Sequence, residues 1–167
     1  LGVVGAGIMG GGIAYVAAQI ELPVRLKDVN HEAILRALAH VRALCAEEAG
    51  RRHGRRRGGP GPAHSGADSG RAEVERRLAL VSPTLDYSGF RRADLVIEAV
   101  VEDLEVKRAV FRELEPEVRD DCIIASNTSS LSIAAMAAAL RRPERFLGLH
   151  FFTPVHRMRL DEVVRGE

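Results

Sequence analysis

Apolar positions along the chain fall into two alternating rhythms. Short runs, Leu1 to Val4, Val24 and Leu26, Leu95-Val-Ile97, Cys122-Ile-Ile-Ala125 and Phe146 to Phe152, predict strands, several of them buried on both faces. Between them the spacing turns helical, with Ile13, Val16, Ala17 and Ile20 on one stripe and Ile34, Leu38, Val41 and Cys45 on the next. Asn30 is placed to cap that second helix, which the pattern carries to about Glu48, with Gly50 as its stop. Helical spacing resumes over Arg71 to Leu80 and is closed by Pro83. Further helices are predicted from near Asp103 to Leu114, stopped by Pro116, and over Ser132 to Leu140, with a last short strand over Leu160 to Val164. Residues 51–70 carry glycine, proline and five arginines without periodicity and read as a mobile loop. Strands alternating with helices imply an α/β fold. Its form is a Rossmann-type, doubly wound, mostly parallel sheet in three α/β/α layers, whose ligands gather at strand C-termini near the switch point.

The first run turns on glycines, Gly5-Ala-Gly7-Ile8-Met9-Gly10, before its helix. In a G-x-G-x-x-G turn the first glycine makes the tight turn, the second lets the backbone approach a pyrophosphate and the third lets helix pack on strand. Phosphate oxygens then meet the free N–H groups at the helix start. Such turns also occur without ligands, but here the strand, helix and second strand follow in order. Asp28 lies 18 residues beyond Gly10, where a carboxylate meets the adenine ribose hydroxyls. A carboxylate there favours NAD over NADP, whose extra phosphate would meet a like charge. Arg25 and Lys27 alternate with Val24 and Leu26 and read as the polar positions of a strand.

Composition narrows the field. The 167 residues suit one domain, 1–167, and a net charge of +1 argues for neither nucleic acid nor a membrane surface as partner. No apolar stretch reaches the roughly 18 residues of a membrane-spanning helix. Cys45 in a helical pattern and Cys122 in a strand pattern are expected to be buried and reduced, as in the cytoplasm. No cysteine and histidine cluster has zinc-site spacing, so metal-free chemistry is expected. The chain opens inside its first strand, from which upstream sequence is expected to have been lost.

An imidazole at the mouth of a nucleotide site can take a proton from an alcohol while hydride leaves the same carbon. His150, near a strand end, is the candidate and His156 its rival. His53 and His64 fall in the arginine-rich stretch, and His31 and His40 lie on a helix, expected at the surface. A carboxylate beside the base would fix its tautomer, and Asp161 and Glu162 are the local choices. Ser126, Asn127, Thr128, Ser129 and Ser130 follow a buried strand. Either Ser130 or Ser132 caps the next helix, and the surplus polar groups can orient a substrate oxygen and a nicotinamide amide.

Six segments occur together and in order: Gly5 to Gly10, Leu26-Lys-Asp-Val-Asn30, Pro83-Thr-Leu-Asp-Tyr87, Ala93 to Glu102, Ala125-Ser-Asn-Thr-Ser-Ser-Leu131 and Gly148-Leu-His-Phe-Phe152. In this the chain resembles the NAD-binding domain of 3-hydroxyacyl-CoA dehydrogenase, particularly the version in bacterial multifunctional fatty-acid oxidation proteins. The resemblance implies reversible oxidation of an (S)-3-hydroxyacyl-CoA to the 3-oxoacyl-CoA in β-oxidation, with NAD as hydride acceptor. It implies His150 as general base, Glu162 as its carboxylate partner and Ser129 as donor to the substrate oxygen. Gly5, Gly7, Ile8, Met9, Gly10, Asp28, Val101, Glu102, Lys107 and Asn127 would line the cofactor. It further implies a helical domain, beyond these residues, that closes the acyl pocket and supports a homodimer. Thr153 stands where the family usually has asparagine, and Arg159 and Asp161 replace a proline and an apolar residue, with Arg159 offsetting the charge of Asp161. The competing readings are a non-catalytic nucleotide-binding or structural fragment and a different NAD-dependent hydroxyacid dehydrogenase.

Overall fold

The computed structural model describes residues 1–56, 65–158 and 161–166. Among the described residues seven strands form one sheet: β1 (Gly2–Val4), β2 (Val24–Lys27), β3 (Val81–Thr84), β4 (Leu95–Glu98), β5 (Ile123–Ser126), β6 (Phe146–Phe151) and β7 (Asp161–Val164). Their order is β3-β2-β1-β4-β5-β6-β7, with β1 to β6 parallel and β7 antiparallel to β6. Successive side chains of a strand point to opposite faces, and the buried runs use both. Val3, Ile97 and Ala125 join the core beneath α1 (Ile8–Gln19), α2 (His31–Arg56) and α3 (Ser65–Leu78). Val4, Val96 and Ile124 join the opposite core, with Phe111 and Leu114 of α4 (Leu104–Leu114) and Met136 of α5 (Ile133–Ala137). The doubly wound, three-layer architecture is therefore present.

Several boundaries differ from the sequence reading. Gly50 does not stop α2, which runs on to Arg56, and α3 starts at Ser65, so 51–56 and 65–70 are helical instead of loop. Glycine costs a helix about 1 kcal/mol. Here Arg51–Glu47 and Arg52–Glu48 pairs span the glycine, Arg52 reaches Glu73 of α3, and Ala49 is buried. Residues 57–64, with the rest of the mobile-loop reading and His64, lie outside the described residues, as do Arg159 and Leu160. Pro83 does not simply close a helix but sits within β3. Among the described residues this outer strand pairs only with β2, so a residue lacking an N–H is tolerated. The predicted helix over 132–140 shortens to Ile133–Ala137, with Ser132 accepting from the Ala135 amide as its cap.

Candidate functional site

Strand register draws the site into one row. Lys27, Val4, Glu98, Ser126 and Gly148 are successive partners across β2, β1, β4, β5 and β6. The residues that follow the first four, Asp28, Gly5, Ala99 and Asn127, accordingly leave the sheet along one edge, and His150 lies at the same end, still within β6. That edge includes the β1–β4 switch point, where a doubly wound sheet opens a crevice.

At the switch point the three motif glycines are used differently. Gly5 has φ +102°, and a Cβ there would lie 2.5 Å from the Ala99 carbonyl oxygen. A Cβ at Gly10 would come within 1.8 Å of the Gly5 oxygen, so this glycine seats α1 on the turn. At Gly7 a Cβ would meet nothing within 4 Å, leaving the backbone open to a group outside the fold. Gly7 caps α1 without a side-chain bond, and no acidic residue occupies the first turn, so the helix start suits an anion. Asp28 Oδ2 accepts from the Ala6 amide at 2.7 Å and Oδ1 from the Asn30 amide at 2.9 Å, which pins this carboxylate beside the turn. Ile8 and Val101 project from the ends of these segments with 77% and 66% exposure, an apolar rim that suits flat, partly apolar rings. An open glycine, an uncapped helix start, an apolar rim and a fixed carboxylate together fit a dinucleotide.

Farther along the row, His150 Nδ1 stands 3.0 Å from Glu162 Oε2. The β6–β7 register places these residues opposite each other, and Phe152 packs its ring 4.5 Å from the imidazole. Asp161 instead faces Phe151, so the carboxylate that meets the histidine is Glu162. Asn127 Oδ1 accepts from the Phe151 amide at 2.9 Å, fastening the segment after β5 to the strand that bears His150. His156 packs edge-on against Tyr15 of α1 at 5.9 Å; burial, and then the charge of Arg157, lower its pKa.

Between these two ends lies a buried polar cluster. Glu98 Oε1 accepts from the Val100 amide at 2.7 Å and from Lys107 Nζ at 2.6 Å, while Oε2 accepts from Ser126 Oγ at 2.6 Å. Both charged side chains are essentially inaccessible, 0% for Glu98 and 1% for Lys107. The same ammonium lies 3.3 Å from Glu102 Oε2, and Glu102 Oε1 accepts from Thr128 Oγ1 at 2.5 Å and from the Ser129 amide at 3.0 Å. Burial works to raise the Glu102 carboxyl, but these hydrogen bonds and the charge of Lys107 outweigh it and hold its pKa below the usual value. Ser129 stays exposed, with Oγ 3.5 Å from Glu102 Oε1.

A family model for the 3-hydroxyacyl-CoA dehydrogenase NAD binding domain matches residues 1–167. The chain belongs to this family. It is 48% identical over 165 residues to the fatty acid oxidation complex subunit alpha of Psychrobacter arcticus, covering 99% of this chain and 21% of that protein. Among solved structures it resembles the (S)-3-hydroxybutyryl-CoA dehydrogenase of Ralstonia eutropha, with a TM-score of 0.81 and 34% identity, over 99% of this chain and 53% of that one. The 3-hydroxybutyryl-CoA dehydrogenase of Escherichia coli K12 gives a TM-score of 0.81 and 39% identity, over 97% of this chain and 31% of that one. The chain thus spans about a fifth of the length of the curated relatives it matches.

As a dehydrogenase domain of this family, it brings Gly5, Gly7, Gly10 and Asp28 to the crevice, pairs His150 with Glu162, and links Ser129 to Glu102 and Lys107. Met9 is not only part of the turn. Thr153 Oγ1 donates to its sulfur at 2.9 Å and so ties the segment after β6 to α1. Sequence reasoning gave Glu98 no role, although two signals were there. Glu98 shares the alternation of Val96, and Lys107 falls on the stripe of Leu104, Phe111 and Leu114. A carboxylate and an ammonium at apolar positions of adjacent elements predict a buried pair.

Proposed function

We propose that the chain is the cofactor-binding and proton-transferring part of an NAD-dependent dehydrogenase that interconverts (S)-3-hydroxyacyl-CoA and 3-oxoacyl-CoA in fatty-acid oxidation. The observation that carries the reading is the His150–Glu162 pair, 3.0 Å apart and on the same sheet edge as the glycine turn. With Nδ1 protonated and donating to Glu162, the Nε2 lone pair of His150 is the acceptor for the substrate hydroxyl proton. Glu162 then offsets the positive charge that this transfer places on the ring. The exposed Ser129 hydroxyl, turned from its long contact with Glu102, would supply a donor where alkoxide character develops. Bound NAD would accept the hydride from the carbon that carries that oxygen. Gly5, Gly7, Ile8, Met9 and Gly10 would hold its pyrophosphate side and Asp28 its adenine ribose. Val101, Glu102 and Asn127 would line the remainder, and the buried Lys107 would act on it through Glu102.

The complete protein in this reading adds a helical domain that shields the acyl-CoA and supports a homodimer, and it acts in the cytoplasm. The buried, unpaired thiols of Cys45 and Cys122 agree with a reducing setting. The test is consumption of NADH by the whole protein with a 3-oxoacyl-CoA, compared with the corresponding free 3-oxo acid and with NADPH. Turnover with the thioester and NADH, and little with either replacement, is expected. NADH binding without turnover would instead identify a nucleotide-binding module, and turnover of the free acid a different hydroxyacid dehydrogenase.

A further inference from the structure

Glu98 is fully enclosed, and its carboxylate receives donors from three separate elements: the Val100 amide beyond β4, the Lys107 ammonium of α4 and the Ser126 hydroxyl at the end of β5. A buried ion pair seldom stabilises a fold more than apolar side chains of similar volume would, so stability alone gives no reason for this one. What apolar side chains cannot do is hold a cation directly beneath the crevice. Lys107 Nζ is shared between enclosed Glu98 and Glu102, whose side chain is 38% exposed. Glu102 in turn receives Thr128 and the Ser129 amide on its other oxygen. One relay therefore runs from Glu98 through Lys107 and Glu102 to Ser129. A second link from the same carboxylate, through the Val100 amide, fixes the start of the Val101–Glu102 rim.

We infer that Glu98 is a positioning residue for the cofactor side of the site. Its negative charge divides the Lys107 cation between two carboxylates and so leaves Glu102 free to hold Ser129 and face the crevice. This rests on the cofactor reading given above and adds to it a residue that touches neither cofactor nor substrate.

Glu98→Gln isolates the charge. The amide oxygen can still accept from Val100 and Lys107, while the amide nitrogen donates to Ser126 Oγ, so packing is retained and only the bond to Ser126 reverses, leaving the Ser126 proton and one amide N–H to find other acceptors. Lys107 would then be neutralised by Glu102 alone, which draws that carboxylate away from Thr128 and Ser129. NADH titrated into the folded variant, well below its melting temperature, is expected to bind about tenfold more weakly than to the unsubstituted chain. The Ser129 amide resonance should move as well, and Glu98→Asp, which keeps the charge, should recover part of the affinity. Ser126→Ala removes a single neutral donor and serves where Glu98→Gln does not fold, with a loss of roughly threefold expected. A purely architectural role predicts altered melting with unchanged NADH affinity in the folded variants, and that result would overturn the inference. Failure of the unsubstituted, folded chain to bind NADH would overturn the cofactor reading and this inference together.

Discussion

Glu102 gathers more partners than any other rim residue: the hydroxyls of Thr128, Ser129 and Ser130, a backbone amide and a buried ammonium. Since its pKa is held below the usual value, the folded protein keeps this carboxylate ionised to lower pH than the unfolded chain does. Its contribution to stability is complete above the usual glutamate range and is lost as pH falls through the depressed folded pKa. The Ser129 amide resonance, followed by NMR during acid titration, is therefore expected to shift with a midpoint under the ordinary glutamate pKa of about 4.3. A midpoint at or above that value would show that the hydrogen bonds do not outweigh burial. At this scale the residues with a familiar spacing were legible. Gly5, Gly7, Gly10 and Asp28 stand at offsets that geometry dictates, whereas the choice of Glu162 over Asp161 depended on a register between strands that spacing within the chain cannot express.

Among the elements, α1 does two tasks. Its start faces the crevice, and its second turn receives the segment that follows β6. A Cβ at Gly12 would lie 2.9 Å from Val155 Cγ2, so only glycine lets Val155 seat this closely. Thr153 on Met9 and His156 on Tyr15 make further contacts of the same segment with the same helix. Gly12→Val is expected to destabilise the fold by about 1–3 kcal/mol through overpacking. It should also reduce turnover of the whole protein below the unfolding temperature, because the displaced segment leads directly from the strand bearing His150. A denaturant midpoint lowered without any change in kcat would confine the contact to packing. The helical elements with strong apolar stripes were readable, and α4 begins where Asp103 accepts from the Glu105 and Val106 amides. Of the two outer strands, β7 was anticipated to within a residue and β3 was not. β3 contains a proline and β7 is exposed along its length, so neither carries the apolar signature of a buried strand. Gly50 misled in the other direction, because side-chain pairs one turn apart support α2 across it.

For the molecule as a whole, a single sheet edge collects groups from almost the entire chain, from Gly5 near its start to Glu162 near its end. The general alternation of strand and helix made that edge predictable, since each parallel strand delivers its C-terminus to the same side. The pairing of Lys107 with Glu98 belongs to no motif and was legible only in the apolar periodicity of β4 and α4, while the reach of Lys107 to Glu102 depended on the folded geometry. In the proposed function this edge conducts proton transfer through His150 while its other end holds the cofactor. The most direct test of that proposal is kcat for 3-oxoacyl-CoA reduction by NADH in the whole protein and in its His150→Ala variant. Turnover reduced by about 10²-fold or more, with NADH affinity retained, is the predicted result. Equal turnover in the two proteins would contradict it.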